Sequence, residues 1–226
     1  MKEHAGHRER MKQRYLRYGL DNFADLNALE LLLFYAVAQK DTNLLAHRLL
    51  DTFGSLAGVF DASAEALMTV DGVGESTAAL IRLVLDMARR YLMVKASMGD
   101  ILMDSADAGR YLLPRFINCS NETMYLVCMD AKMKVLDCRM VNQGGTTSVS
   151  VNVAQILQIA LAQNASCVLL AHNHTSGIAL PSNEDVDVTL RIQNVLAQVG
   201  ITLTDHIVVA GDDFVSMADS GVLHQK

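Results

Sequence analysis

The spacing of apolar residues changes character near residue 100. Over residues 21–94 apolar positions recur at helical intervals. Asn22 or Asp25 can open a helix carrying Leu26, Leu29, Leu31, Leu32 and Phe34. Asp41-Thr42 caps a second with Leu44, Leu45, Leu49 and Leu50, closed by Gly54. Ser63-Ala64-Glu65 begins a short third. Val70-Asp71-Gly72-Val73-Gly74-Glu75-Ser76 is then a tight turn feeding a long helix through Ala79, Ile81, Val84, Leu85 and Ala88. From residue 105 the pattern is mixed: a helix over 106–116, strands over 123–129 and 135–141 around a turn at 130–132, a strand over 148–151, and a helix over 153–162. A short apolar strand, 167–170, follows; a helix opens at 182–185, and strands over 201–210 and 213–216 end the series. These elements predict an all-helical half, 1–98, and an α/β or α+β half, 104–226. The linker is expected over 89–104, weakest at Gly99-Asp100.

The candidate chemistry lies where the strand at 167–170 runs out into Ala171-His172-Asn173-His174. In extended backbone, side chains at i and i+2 point to one side, so His172 and His174 can converge. Ser182-Asn183-Glu184-Asp185 opens the next helix and puts Asp185 in its first turn, able to face back to the strand end. Ser182 and Asp185 are also spaced as a capping box. Two imidazoles and one carboxylate form the three-ligand set of a catalytic divalent ion, here expected to be one Zn²⁺ per chain, with an open fourth position for water.

With 226 residues, 51% of them hydrophobic, the chain can bury a substantial core. Its apolar runs are too short to span a bilayer and its first residues are charged, so no membrane association and a cytoplasmic location are expected. Cys119, Cys128, Cys138 and Cys167 lack metal-site spacing and read as small hydrophobes in a reducing compartment. The net charge of −6 is uneven: residues 1–17 carry a balance of +4, leaving −10 for the rest. Arg8, Arg10, Lys12 and Arg14 thus form either a solvated helix or an arm that contacts phosphates. The glycines flanking Val73 let the chain turn sharply and bring the next helix's first amides to the surface, a ready anion site at Gly72, Val73 and Gly74.

The whole pattern of His-x-His, seven residues, Ser, two residues and Asp resembles the JAMM signature of JAB/MPN metallohydrolases. The run Ala171-His172-Asn173-His174-x-Ser176-Gly177 looks most like the RadC-like branch, and the turn at 70–76 resembles the hairpin of helix-hairpin-helix DNA-binding modules that precede the JAB domain there. Two stretches differ from the common RadC-like pattern: Thr175 stands where proline follows the second histidine, and Asn152-Val153-Ala154-Gln155 where a His-Pro-Arg-Glu stretch precedes the helix.

What the resemblance implies is a helix-hairpin-helix domain ahead of a JAB/MPN-like, cytidine-deaminase-like mixed sheet flanked by helices. It implies a zinc-dependent, metalloprotease-like hydrolase of a peptide, isopeptide or other amide bond. Glu122, at the head of the first core strand, would be the general base, and Ser182 would donate to the developing oxyanion. Asp205 and His206 match the pattern as supports behind the metal ligands. The implied partners are DNA through the N-terminal half and an unassigned peptide or protein substrate. The competing reading is a DNA-associated, DNA-repair-related module with a structural or vestigial metal site. A zinc deaminase lacks support, because its His-x-Glu and Pro-Cys-x-x-Cys elements are missing.

Overall fold

In the computed structural model, which describes residues 2–37, 41–95, 99–119, 121–143 and 152–223, side-chain caps set most helix starts. Contacts divide the chain into two compact units, Met1–Ala88 and Arg89–Lys226. The first holds α1 (Lys2–Tyr18), α2 (Asp25–Leu33), α3 (Thr42–Phe53), α4 (Leu56–Asp61), α5 (Ala64–Met68) and the start of α6 (Glu75–Lys95). Asp41 accepts from the amides of Asn43 and Leu44 at the head of α3, and Gly54 closes that helix in the left-handed conformation. Ser55 and Ser63 cap α4 and α5. At six residues, α4 is too short to show a helical period and was not expected as an element of its own. The apolar faces meet in a core that includes Leu29, Leu33, Leu45, Leu49, Val59, Leu67, Val73 and Ile81.

The described residues of the stretch expected as a linker take part in the fold. Its first residues belong to α6, which meets no glycine or proline before Lys95. Further on, Val135 N–H donates to Asp100 O at 2.8 Å and Leu102 N–H to Met133 O at 3.0 Å.

The second unit continues with α7 (Ser105–Phe116), β1 (Thr123–Met129), β2 (Val135–Gln143), α8 (Val153–Ala162), β3 (Cys167–Asn173), α9 (Asn183–Ala197), β4 (Thr202–Ala210) and β5 (Asp213–Ser216). The sheet order is β2-β1-β3-β4-β5, with β3 and β4 parallel and the other pairs antiparallel. The strand expected over 148–151 lies outside the described residues. Both faces of the sheet are covered, which is why β1 and β3 read as continuous apolar runs. Tyr125, Val127, Leu169, Ala171, Ile207 and Val209 pack with α7 residues such as Tyr111 and Leu112. On the other face Met124, Leu126, Val168 and Leu170 pack with Ile156 and Ala160 of α8 and Ile192 and Leu196 of α9. The four cysteines are free thiols. Among the described residues no helix is long and apolar enough to cross a membrane.

Candidate metal centre

His172 is the penultimate residue of β3, opposite Met124 on β1 and Val208 on β4, and is buried. Alternation sets it on the face of Val168 and Leu170, beneath α8 and α9. His174 lies one step beyond the strand, where its N–H donates to Val209 O at 2.8 Å. The loop then turns through Gly177, at φ +81°, and delivers the chain to α9. There the capping box closes in both directions. Ser182 Oγ accepts from Asp185 N–H at 3.1 Å, and Asp185 Oδ2 accepts from Ser182 N–H at 2.8 Å. The cap therefore fixes the carboxylate that faces the histidines.

Three side chains converge at this point. His172 Nε2 lies 3.0 Å from His174 Nε2 and 3.2 Å from Asp185 Oδ1, while His174 Nε2 lies 3.3 Å from Asp185 Oδ2. His174 Nδ1 is 3.2 Å from Ile178 O; a carbonyl only accepts, so Nδ1 carries the proton and Nε2 turns a lone pair into the cluster. On the far side of His172, Nδ1 meets His206 Nε2 at 2.8 Å. Nitrogen lone pairs against a carboxylate repel unless a cation, a proton or a metal ion, lies among them. Burial pushes the Asp185 carboxyl up, but hydrogen bonds and charge from His172, together with Ser182, outweigh it and hold the group well below the usual carboxylate range. His206 is fully buried, and burial first, then the charge of His172, holds it far below the ordinary imidazole range, so it stays neutral. The His174 and Asp185 side chains keep 16% and 17% exposure. His172, His174 and Asp185 could hold a metal ion, with donor atoms within 4.8 Å of one another. Two nitrogens and a carboxylate suit zinc.

The model of the RadC-like JAB domain matches residues 102–222, and that of the helix-hairpin-helix motif matches 55–84. The chain belongs to the RadC-like JAB family. Similar relatives include UPF0758 proteins of Azotobacter vinelandii, 35% identical, and Bordetella petrii, 33% identical, each matched over 95% of this chain and 96% of the relative. A UPF0758 protein of Nitrosococcus oceani is 34% identical over the same shares. These names state no activity.

Other expected residues of this RadC-like chain fall at different distances from the cluster. Glu122 directly precedes β1 and is half-buried. It stands two residues before Met124, which pairs with His172. Its segment is fastened to β3 by Asn173, whose Oδ1 accepts from Thr123 N–H at 2.7 Å and whose Nδ2 donates to Asn121 O at 3.2 Å. Asn173 was not singled out in the sequence, although a polar residue between two converging histidines must point away from them. Ser182 Oγ lies 2.6 Å from Asp185 Oδ2 in addition to its capping bond.

The expected pair behind the ligands separates. His206 reaches His172, whereas Asp205 bonds Ser216 Oγ at 2.6 Å and Ala218 N–H at 2.9 Å, away from the cluster. Neighbours on a strand face opposite ways, and a register shift decides which of the two turns toward the histidines. Val168 pairs with Leu203 but Leu169 with Asp205, so Thr204 is an extra residue on β4. The bulge turns His206 onto the face of Leu170 and His172 and leaves Asp205 with Leu169. Thr189, fully buried one turn after Asp185, also contacts His206 and was not anticipated.

In the helical unit Gly72 takes φ +97°, with a side-chain end, Leu45 Cδ1, 3.3 Å from where a Cβ would stand. Arg48 holds this turn through Asp71 O and Oδ2. Val73 is buried and Gly74 O accepts from Thr77 and Ala78 N–H. The basic stretch is not a free arm: α1 packs on α2 through Met11, Leu31 and Phe34. Arg8, Lys12 and Arg14 lie over the rings of Phe34, Tyr35 and Phe23, while Arg10 is exposed.

Proposed function

We propose that the chain is a zinc-dependent hydrolase of an amide bond in a peptide, isopeptide or protein substrate, acting in the cytoplasm through its 104–226 domain. The convergence of His172 Nε2, His174 Nε2 and the Asp185 carboxylate at one strand end carries this reading. These residues would hold one ion, which supplies Lewis acidity to a carbonyl and makes a nearby water easier to deprotonate. Glu122 takes the proton of the attacking water and passes it to the leaving nitrogen. Its place two residues before Met124, which pairs with His172, supports that role, and Asn173 keeps its segment on the sheet. Ser182 would support the developing oxyanion once its hydroxyl turns from Asp185. Exposed Ile178 and Leu180, in the loop between the ligands, give a substrate chain apolar contact beside the site.

A screen of peptide and isopeptide substrates with zinc-loaded protein tests this. Hydrolysis that chelator abolishes is the expected result, and Glu122→Gln should lower it by about 10²-fold or more while leaving zinc content unchanged. A variant that sheds zinc would make Glu122 a ligand, and one that cleaves at the full rate would put the base elsewhere.

A second reading has its own support in the helix-hairpin-helix match at 55–84. The 1–98 domain would bind DNA phosphates through the amides after Gly72, Val73 and Gly74 and through the basic side chains of Arg8, Arg10, Lys12 and Arg14, with the metal site structural or vestigial.

A further inference from the structure

We infer that Thr189 is a positioning residue that sets the proton arrangement of the histidine pair behind the metal centre. The inference rests on the metal-ligand reading of His172 and concerns residues the ion would not touch. Thr189 Oγ1 lies 2.5 Å from Asp185 O and 2.6 Å from His206 Nδ1, and His206 Nε2 lies 2.8 Å from His172 Nδ1. The two links to His206 are buried, so water does not substitute for a missing partner there.

The direction of each bond follows from one group. A backbone carbonyl has no proton, so the Thr189 hydroxyl must donate to Asp185 O. Met217 Sδ, at 3.7 Å, is a weaker and more distant acceptor. With its only hydrogen committed, Oγ1 accepts from His206, and His206 therefore carries its proton on Nδ1. His206 Nε2 is then bare and accepts from His172 Nδ1–H, and that leaves His172 Nε2 to face His174 and Asp185, where it can give its lone pair to an ion or carry a proton toward Asp185 when none is bound. Reversing the chain would set two acceptors 2.5 Å apart. A threonine hydroxyl bonded to the carbonyl four residues back is common in helices and by itself has no functional meaning. Here the same oxygen also meets an imidazole, so it couples the backbone of one ligand, Asp185 on α9, to the ring of another, His172 on β3.

The test compares the full chain with Thr189→Val and Thr189→Ser. Zinc affinity is measured by competition with a chelator, and histidine protonation sites by nitrogen-15 NMR in zinc-loaded and metal-free protein. In the unaltered protein His206 should carry hydrogen on Nδ1 alone in both forms, and His172 should bind zinc through Nε2. Thr189→Val should change the His206 pattern and weaken zinc binding about 10- to 100-fold, the usual scale for losing an outer partner of a metal ligand. Thr189→Ser should restore both. A hydrogen on His206 Nε2 in the unaltered protein would overturn the inference, and so would Thr189→Val that keeps its zinc affinity, or that loses it with the His206 pattern unchanged. Should Thr189→Val not fold, the unaltered and serine spectra still decide. Should the native chain bind no zinc, the metal reading fails while the His206 pattern and its change on Thr189→Val still judge Thr189.

Discussion

Asp130 shows at one side chain how a sequence signal becomes a measurable energy. Its Oδ1 accepts from Lys132 N–H at 2.8 Å and Lys134 N–H at 3.0 Å, closing the turn between β1 and β2. Those two amides, Lys134 first, hold its carboxyl below the ordinary 3.8. The folded state thus prefers the charged form, so the contribution is fully present above 3.8 and is lost as pH falls below it through the folded value. Asp130→Asn should lose less stability than the native chain between about pH 5 and about pH 3 in urea melts; parallel losses would contradict this. The turn was legible because an Asp-Ala-Lys stretch between apolar runs has a local mechanism. Asp185 was legible for a similar reason, its capping position. Thr189 was not, since a threonine inside a helix has no sequence mark until the fold brings His206 to it, and Asp205 was misjudged beside it because neighbours on a strand face opposite ways.

At the scale of elements, period and caps carry most of the architecture. Helices α3, α8 and α9 begin where apolar runs meet Asp, Asn or Ser, and the packing of α8 and α9 follows from the sheet face they bury. The bulge at Thr204 was invisible, because an inserted residue changes the register without changing the composition of the strand. Close approach is invisible for the same reason. A Cβ on Gly109 of α7 would stand 2.4 Å from the Phe214 ring of β5, a contact only the tertiary fold creates. Gly109→Ala gains about 1 kcal/mol of helix propensity, but overpacking costs about 1–3 kcal/mol. The net effect should be destabilising, read as a lower urea midpoint; an unchanged or raised midpoint would show that the ring yields freely.

For the whole molecule, charge and motif point to the same half of the sequence. The first 17 residues are basic and the remainder acidic, and the helix-hairpin-helix match covers 55–84. Contact through amides and basic side chains carries no base-reading geometry, so binding of the full chain to duplex DNA should be weak, sequence-independent and steeply salt-sensitive. Glu75→Lys, at the head of α6, should strengthen it. No binding at low salt by either form would remove DNA as a partner. In the other half His172, His174 and Asp185 meet as the proposed zinc site. Elemental analysis of the full chain, purified without chelators and equilibrated with zinc, tests it most directly. About one zinc per chain is predicted, lost in His174→Ala and in Asp185→Ala, whereas a native chain that neither retains zinc nor takes it up would rule out a metal at this site.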